Sequence, residues 1–489
     1  MSAPVGMRPA SRPAAVCVFV AAAAWTGGGV ACAHSLVTPY DLPIPFSLYV
    51  YTCAITLLLT FAVLAFVPTA PIGLERASRP VIRLGRLLPV VGQTGAVALL
   101  GLTIAAGLCG TPSPVANIAP TLFWVGMMLG LTAVTAVLGD VFQIVNPWRV
   151  LLRLLHVGAR PVLRYPPALA SWPAFTCYLA LSWLELMAPP RPSLLAWALL
   201  AYTGLTAAGA ALFGRDAWFR HADLFSVFFR ITGMLAPVAY GRDAASEAAN
   251  WQVRTRPLLA GTLDDRPHHI SLLLFVLFML AGTTYDGVWQ TSFWAGLYWH
   301  NLMAWLQPLW GNDMARAQAL LAPGYVIYQR GGLIAAPVVY FAVYMTVMAA
   351  MRGVTGGRMP VRALALRFAF SLIPIALAYM LAHSWTLLLT VLPVIPFLLT
   401  DPFGVGWNLL ALQRLSAEPA PLDMGQAWHI EVGLILLGHI ASVYLAHVIA
   451  QRTFAARHHV WLSELPLLLL MVGYTFIGLS VLSLPLILH

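Results

Sequence analysis

Apolar runs about twenty residues long recur along this 489-residue chain, separated by more polar segments of varied length in which every basic residue is arginine. A helix of about 20 apolar residues matches the hydrocarbon core of a bilayer, roughly 30 Å thick. That rule predicts ten spans, near 44–67, 88–108, 120–139, 168–188, 193–213, 268–285, 332–351, 366–385, 428–450 and 461–486. Ahead of them, Arg8 and Arg12 make a basic start, Ala14 to Trp25 an apolar core, and Ala31-Cys32-Ala33 a small-x-small triplet. This is the order of a cleavable secretory signal. Residues 1–33 therefore read as a signal peptide and 34–489 as a single multi-span membrane domain. The expected fold is an all-α polytopic membrane helix bundle. The apolar stretch from Trp385 to Leu399 carries Pro393 and Pro396 and is short for a span, so it reads as a re-entrant or interfacial segment.

Two polar connections keep a helical period. After Asn146-Pro147, a capping residue followed by a first-turn proline, Trp148, Leu151, Leu152 and Leu155 share one face, with Arg149, Arg153 and His156 on the other. Phe219, Leu224, Phe225, Phe228 and Phe229 alternate comparably with Arg220, His221, Asp223 and Arg230. Both patterns fit interfacial amphipathic helices lying on the headgroup layer, and equally fit helices packed beneath the bundle. Each follows a pair of spans, so 88–156 and 168–236 form a pattern-level tandem pair. The connection 285–331 is rich in tryptophan and tyrosine and reads as an aromatic cap at the interface.

Composition fixes the class: 60% of residues are hydrophobic and 9% charged, with a mean hydropathy of +0.81, outside the range of soluble domains. The formal charge of +10 would fit a nucleic-acid partner but for where the arginines sit, which is in alternate connections between the spans. Connections 68–87, 140–167, 214–267, 352–367 and 451–460 hold 21 of the 27, and the opposite set holds only Arg191, Arg316, Arg330 and Arg414. That asymmetry orients the chain by the positive-inside rule. It places the protein in a bacterial cytoplasmic (inner) membrane, with the mature N-terminus and the C-terminus on the outer side, lipid as its solvent and no nucleic acid as partner. Cys53, Cys109 and Cys177 are dispersed and offer neither a disulfide framework nor a thiolate metal site.

Ionisable residues within a membrane are costly, so each is a functional candidate. Cleavage after Ala33 would leave His34 first, able to offer its amine and imidazole to one metal ion. His34 and Asp41 precede the first span, and Glu185, Asp286, His300, Asp313, His383, Asp401, His429 and Glu431 belong to the same outer half. Imidazole with carboxylate suits a divalent ion, copper or zinc, whose bound water is a nucleophile near neutral pH. His34, His383, His429 and His439 are the candidate ligands, and Asp286 and Glu185 the candidate acid-base groups. Asp286-Gly287 also fits a turn, Asp401-Pro402 a helix start, and His429 beside Trp428 an interfacial anchor. On a straight helix His439 lies roughly 15 Å below His429, too deep to share its ion, which makes it a candidate for a relay or a deeper site. His447 reads as an interfacial histidine near the inner surface. No HExxH, P-loop, EF-hand or nucleophile elbow is present, so any site is assembled across helices.

Ala33-His34-Ser35 followed by Asp41-Leu42-Pro43-Ile44-Pro45 resembles the start of bacterial membrane proteins of the fenitrothion hydrolase family. The resemblance continues through Asn146-Pro147-Trp148-Arg149, Leu224 to Phe229, Tyr285-Asp286-Gly287, Leu381-Ala382-His383, Gly438-His439, Leu445-Ala446-His447 and Leu470 to Thr475. It implies hydrolysis of an apolar organophosphorus triester, an aryl phosphorothioate, and carries no established catalytic motif. Two other classes stand beside it. One is a copper or other metal-ion transporter, with His34 collecting the ion and His439 and His447 relaying it inward. The other is a structural role in a complex with a second membrane subunit.

Overall fold

The computed structural model describes residues 46–66, 79–242, 251–265, 267–310, 313–357, 359–409 and 423–483. His34, Asp41 and the signal segment lie outside them. In chain order the elements are α1 (Phe46–Phe66), β1 (Arg79–Arg83), α2 (Leu87–Cys109), α3 (Ile118–Leu138), α4 (Pro147–Leu154), α5 (Trp172–Met187) and α6 (Pro192–Phe213). Next come α7 (Arg215–His221), α8 (Leu224–Gly233), β2 (Val238–Arg242), β3 (Trp251–Thr255), α9 (Ile270–Trp289), α10 (Ser292–Trp310) and α11 (Met314–Val354). The chain continues with α12 (Val361–His383), the broken segment α13 (Trp385–Leu398), α14 (Met424–Thr453) and α15 (Arg457–Ser483).

Among the described residues nine helices are long and apolar enough to cross a membrane. The tenth expected span is α5, at 16 residues only about 24 Å long. It packs against α8 and α9. The most enclosed spans are α12 and α9, with 72% and 61% of an 18-residue window buried, against 11% for α1 and α2. On α1, Leu48, Ile55, Leu58, Leu59 and Val63 each expose half or more of their surface. An apolar face of that extent suits lipid rather than water.

Local sequence explains the tandem units. Gly139 and Gly214 end α3 and α6 with φ of 84° and 85°, a conformation glycine adopts without steric cost. Asn146 then accepts from the Arg149 amide at 3.0 Å and Asp223 from the Ser226 amide at 2.9 Å, each satisfying an orphan donor of a helix start. The two units meet where Asn146 Nδ2 donates to Ser226 Oγ at 3.0 Å and Trp148 stacks on Phe225 with ring centroids 4.9 Å apart. Here the interfacial expectation needs correction for the second segment. It divides at Ala222-Asp223, and α8 has Leu224, Phe225, Val227, Phe228, Phe229 and Ile231 buried, because α3 and α5 cover it. In α4, Trp148, Val150 and Leu152 are buried while Arg153, Leu154 and Leu155 face outward.

Two other elements differ from the sequence reading. Strands β1, β3 and β2 form an antiparallel sheet in that order, which brings connections 68–87 and 214–267 together and marks the arginine-rich end. Pro80 and Gly241 interrupt β1 and β2, and in β3 the alternation of Trp251 and Val253 with Gln252 and Arg254 spans only five residues, too short a signal to set against the long apolar helices. The aromatic cap is not a separate insertion. Its second half continues α11, whose 41 residues make a helix roughly 60 Å long, twice a bilayer core. The protruding part pairs with α10 around Ala295, Tyr298, Trp299, Ala317 and Leu321. The stretch after His383 is two short helices joined by a 3₁₀ turn at Leu392–Val394, the break expected at Pro393.

Candidate functional site

Four elements converge at the arginine-poor end. Asp286 lies in the last turn of α9, His383 is the final residue of α12, Glu431 is two turns into α14, and Glu185 is near the end of α5. Asp286-Gly287 is therefore helical rather than a turn, since α9 runs on to Trp289. Gly287 has a packing role, because a Cβ there would meet Val481 at 2.4 Å. His383 Nε2 donates to Asp286 Oδ2 at 3.0 Å, with both side chains 17% exposed. A proton directed at the carboxylate makes the other ring nitrogen, Nδ1, the acceptor.

Around this pair, Thr386 Oγ1 donates to Glu431 Oε1 at 3.3 Å, and Glu431 is an electrostatic neighbour of His383. Glu185, exposed on α5, is an electrostatic neighbour of Asp286. The remaining candidates disperse. His429 Nδ1 donates to the Gly425 carbonyl at 2.6 Å, and its Nε2 accepts from the Tyr49 hydroxyl at 3.3 Å. His300 is exposed on α10. Asp313 caps α11 by accepting from the Arg316 amide at 3.0 Å. Asp401 starts no helix but accepts from the Val405 and Gly406 amides at 3.1 and 2.6 Å. Among the described residues no three histidine, cysteine or carboxylate groups meet as a metal-holding set. The described donors therefore do not by themselves fit copper or zinc.

Deeper in the bundle α12 and α14 touch backbone to backbone. A Cβ on Gly438 would meet the Ala378 methyl at 2.4 Å and the Pro374 carbonyl at 2.8 Å, the small-residue contact that lets membrane helices approach. Beside it His439 is buried, its Nδ1 donating to the Ile435 carbonyl at 2.8 Å. A carbonyl only accepts, so Nδ1 carries the proton and Nε2 presents a lone pair. Neither His439 Nε2 nor the Tyr379 hydroxyl has a hydrogen-bond partner among the described residues. Both residues line one cavity of about 10 Å³, with Thr284, Ile435 and Tyr474. Helix α14 is continuous through Gly433 and Gly438, so His439 stays apart from His429.

Towards the arginine-rich end, His447 is buried rather than interfacial. Its Nδ1 donates to Glu464 Oε1 at 2.9 Å, each side chain being 4% exposed, and Gln451 Nε2 donates to its Nε2 at 2.9 Å. Glu464 was missed in the sequence although it stands near the start of an apolar run, a signal that could have found it. Tyr379 and Thr386 gave none, since an isolated hydroxyl in an apolar helix is commonplace. The chain matches no protein-family profile, no curated protein and no solved structure.

Proposed function

We propose that this chain is a membrane-bound hydrolase of apolar organophosphorus triesters, acting at the arginine-poor end. The observation that carries the reading is the 3.0 Å contact between His383 and Asp286. A carboxylate paired with an imidazole is a couple that can take a proton from water and stabilise the imidazolium that results. The water oxygen then forms a bond to phosphorus, the bond from phosphorus to the aryl oxygen breaks, and the imidazolium returns its proton to the departing phenolate. The apolar surface of α10, with Phe293, Leu297 and Trp305 exposed, suits a substrate that partitions into lipid. The orientation proposed with it puts this end and both mature termini outside a bacterial inner membrane. A copper or zinc ion enters the proposal only through a donor beyond the described residues, such as His34.

The deciding experiment measures nitrophenol release from an aryl phosphorothioate by the purified protein in detergent, with and without chelator. Turnover that survives chelation supports the histidine-carboxylate base. Turnover that disappears on chelation and returns with metal replaces it by a metal-activated water, and no turnover in either state removes the hydrolase reading.

One observation favours a second reading. Two of the polar groups at the cavity, His439 Nε2 and the Tyr379 hydroxyl, have no hydrogen-bond partner among the described residues, and His447 with Glu464 continues the ionisable line along α14 and α15. Room for about one water suits proton passage better than a hydrated metal ion. On this reading the bundle relays cations, protons foremost, between its ends.

A further inference from the structure

The arginine-rich end holds a polar cavity of about 160 Å³ between α2, α4, α7 and β3. One water needs about 10–15 Å³ in the same measure, so a polyatomic group fits. Three guanidinium groups, from Arg149, Arg153 and Arg215, border it against one carboxylate, Asp216, leaving a surplus of two positive charges. The site is braced. Arg153 Nη2 donates to Gln93 Oε1 at 2.6 Å, and Gln93 Nε2 donates to the Ile144 carbonyl at 2.9 Å. Arg149 Nη2 reaches Asp216 Oδ1 at 2.7 Å and its guanidinium carbon lies 5.7 Å from the Phe219 ring centre. Both bonds leave part of each planar donor fork available to an oxyanion.

Beside the cavity the surface turns apolar. Val90, on the Gln93 side of α2, is 55% exposed, and Leu154, next to Arg153, is 63% exposed. A basic pocket between membrane helices on the arginine-rich side, adjoining an outward apolar strip, has the two parts an amphiphile with a phosphate head requires. We infer that this cavity holds the headgroup of an anionic phospholipid, with its phosphate against Arg149, Arg153 and Arg215 and its acyl chains along Val90 and Leu154. The inference is independent of hydrolysis.

The test uses the full-length protein, delipidated in a neutral detergent. Its melting temperature and native mass spectrum are followed with phosphatidylglycerol, phosphatidylcholine and inorganic phosphate. Phosphatidylglycerol should remain bound and raise the melting temperature, and the effect should shrink with added salt. In the Arg153→Gln, Arg215→Gln variant that rise should be lost. Should the double variant fail to fold, Arg215→Lys alone should keep the fold and weaken retention, because an ammonium cannot hold an oxyanion bidentately. Equal stabilisation by phosphatidylcholine, or undiminished retention by a folded variant, overturns the inference. Stabilisation by inorganic phosphate equal to that by phosphatidylglycerol overturns it too, since the site then recognises a free anion.

Discussion

His383 and Asp286 stand 97 positions apart in the chain and meet with 3.0 Å between Nε2 and Oδ2, each carried by one of the two most enclosed helices of the bundle. Rigid helices fix such a pair better than loops would, because neither side chain has to be ordered when substrate arrives.

Replacing His383 by Ala should therefore reduce triester turnover by about 10²–10⁴-fold, the range that a general base contributes. Asp286→Asn should cause a smaller loss, because an amide can still orient the ring but no longer stabilises the imidazolium. Nitrophenol release, read beside the melting temperature of each variant, checks both. Turnover within twofold of the parent in folded His383→Ala would exclude this base.

The deeper histidine separates the two functional readings. For a hydrolase working at the arginine-poor end, His439→Ala and Tyr379→Phe should leave turnover nearly unchanged, because the helical rise alone puts His439 roughly 12 Å further along α14 than Glu431. For a relay the same variants should abolish proton uptake into vesicles carrying an imposed potential, measured with a trapped pH dye. If His439→Ala damages hydrolysis as severely as His383→Ala, the reacting centre lies deeper than the His383 pair.

Gly438→Val should separate α12 from α14, since even a Cβ there would sit 2.4 Å from the Ala378 methyl. Overpacking of this kind costs about 1–3 kcal/mol. The expected result is a lower melting temperature together with lost function at both His383 and His439. Gly433→Val, where a Cβ meets nothing within 4 Å, serves as the tolerated control.

Asp140 lies outside the spans, between α3 and α4, and burial raises its carboxyl from 3.8 to about 6 against the opposing effects of the Gln143 amide, Arg230, Arg149 and Arg256. The folded protein thus keeps a proton that the unfolded chain releases between about pH 4 and 6, so this group's contribution to stability declines as pH rises through that window. Asp140→Asn does not titrate and keeps an acceptor for the Gln143 amide. Its melting temperature should gain on the parent between pH 4 and 7 and run parallel above that. A variant that falls further behind as pH rises would show that the arginines hold Asp140 charged.

The orientation is open to a fusion experiment. A reporter active only outside the cytoplasm should work when fused after Asn301 and fail after Gly241, and N-terminal sequencing of the extracted protein should begin at His34. Activity after Gly241 would invert the bundle, and retention of Met1 would remove the terminal chelate.

The sequence by itself determined the all-α bundle, nearly all the span positions and the break after His383, because these follow from local quantities: apolar length, proline and glycine placement, and capping residues such as Asn146. Only the tertiary structure decided which of the outer-half candidates meet, since the described ones are spread over α5, α9, α10, α12 and α14 and the loops beside them, and hydropathy carries no information about helix neighbours. Packing brings Asp286 to His383 and leaves His429 with Tyr49 and Asp313 at a helix cap. It also buries His447 against Glu464 and encloses α8, whose period alone fits a membrane surface equally well. Pairing of β1 with β3 joins strands about 170 residues apart, a contact that short-range pattern is blind to. A helix reports its own faces through its period, but what covers each face is set by every other helix at once.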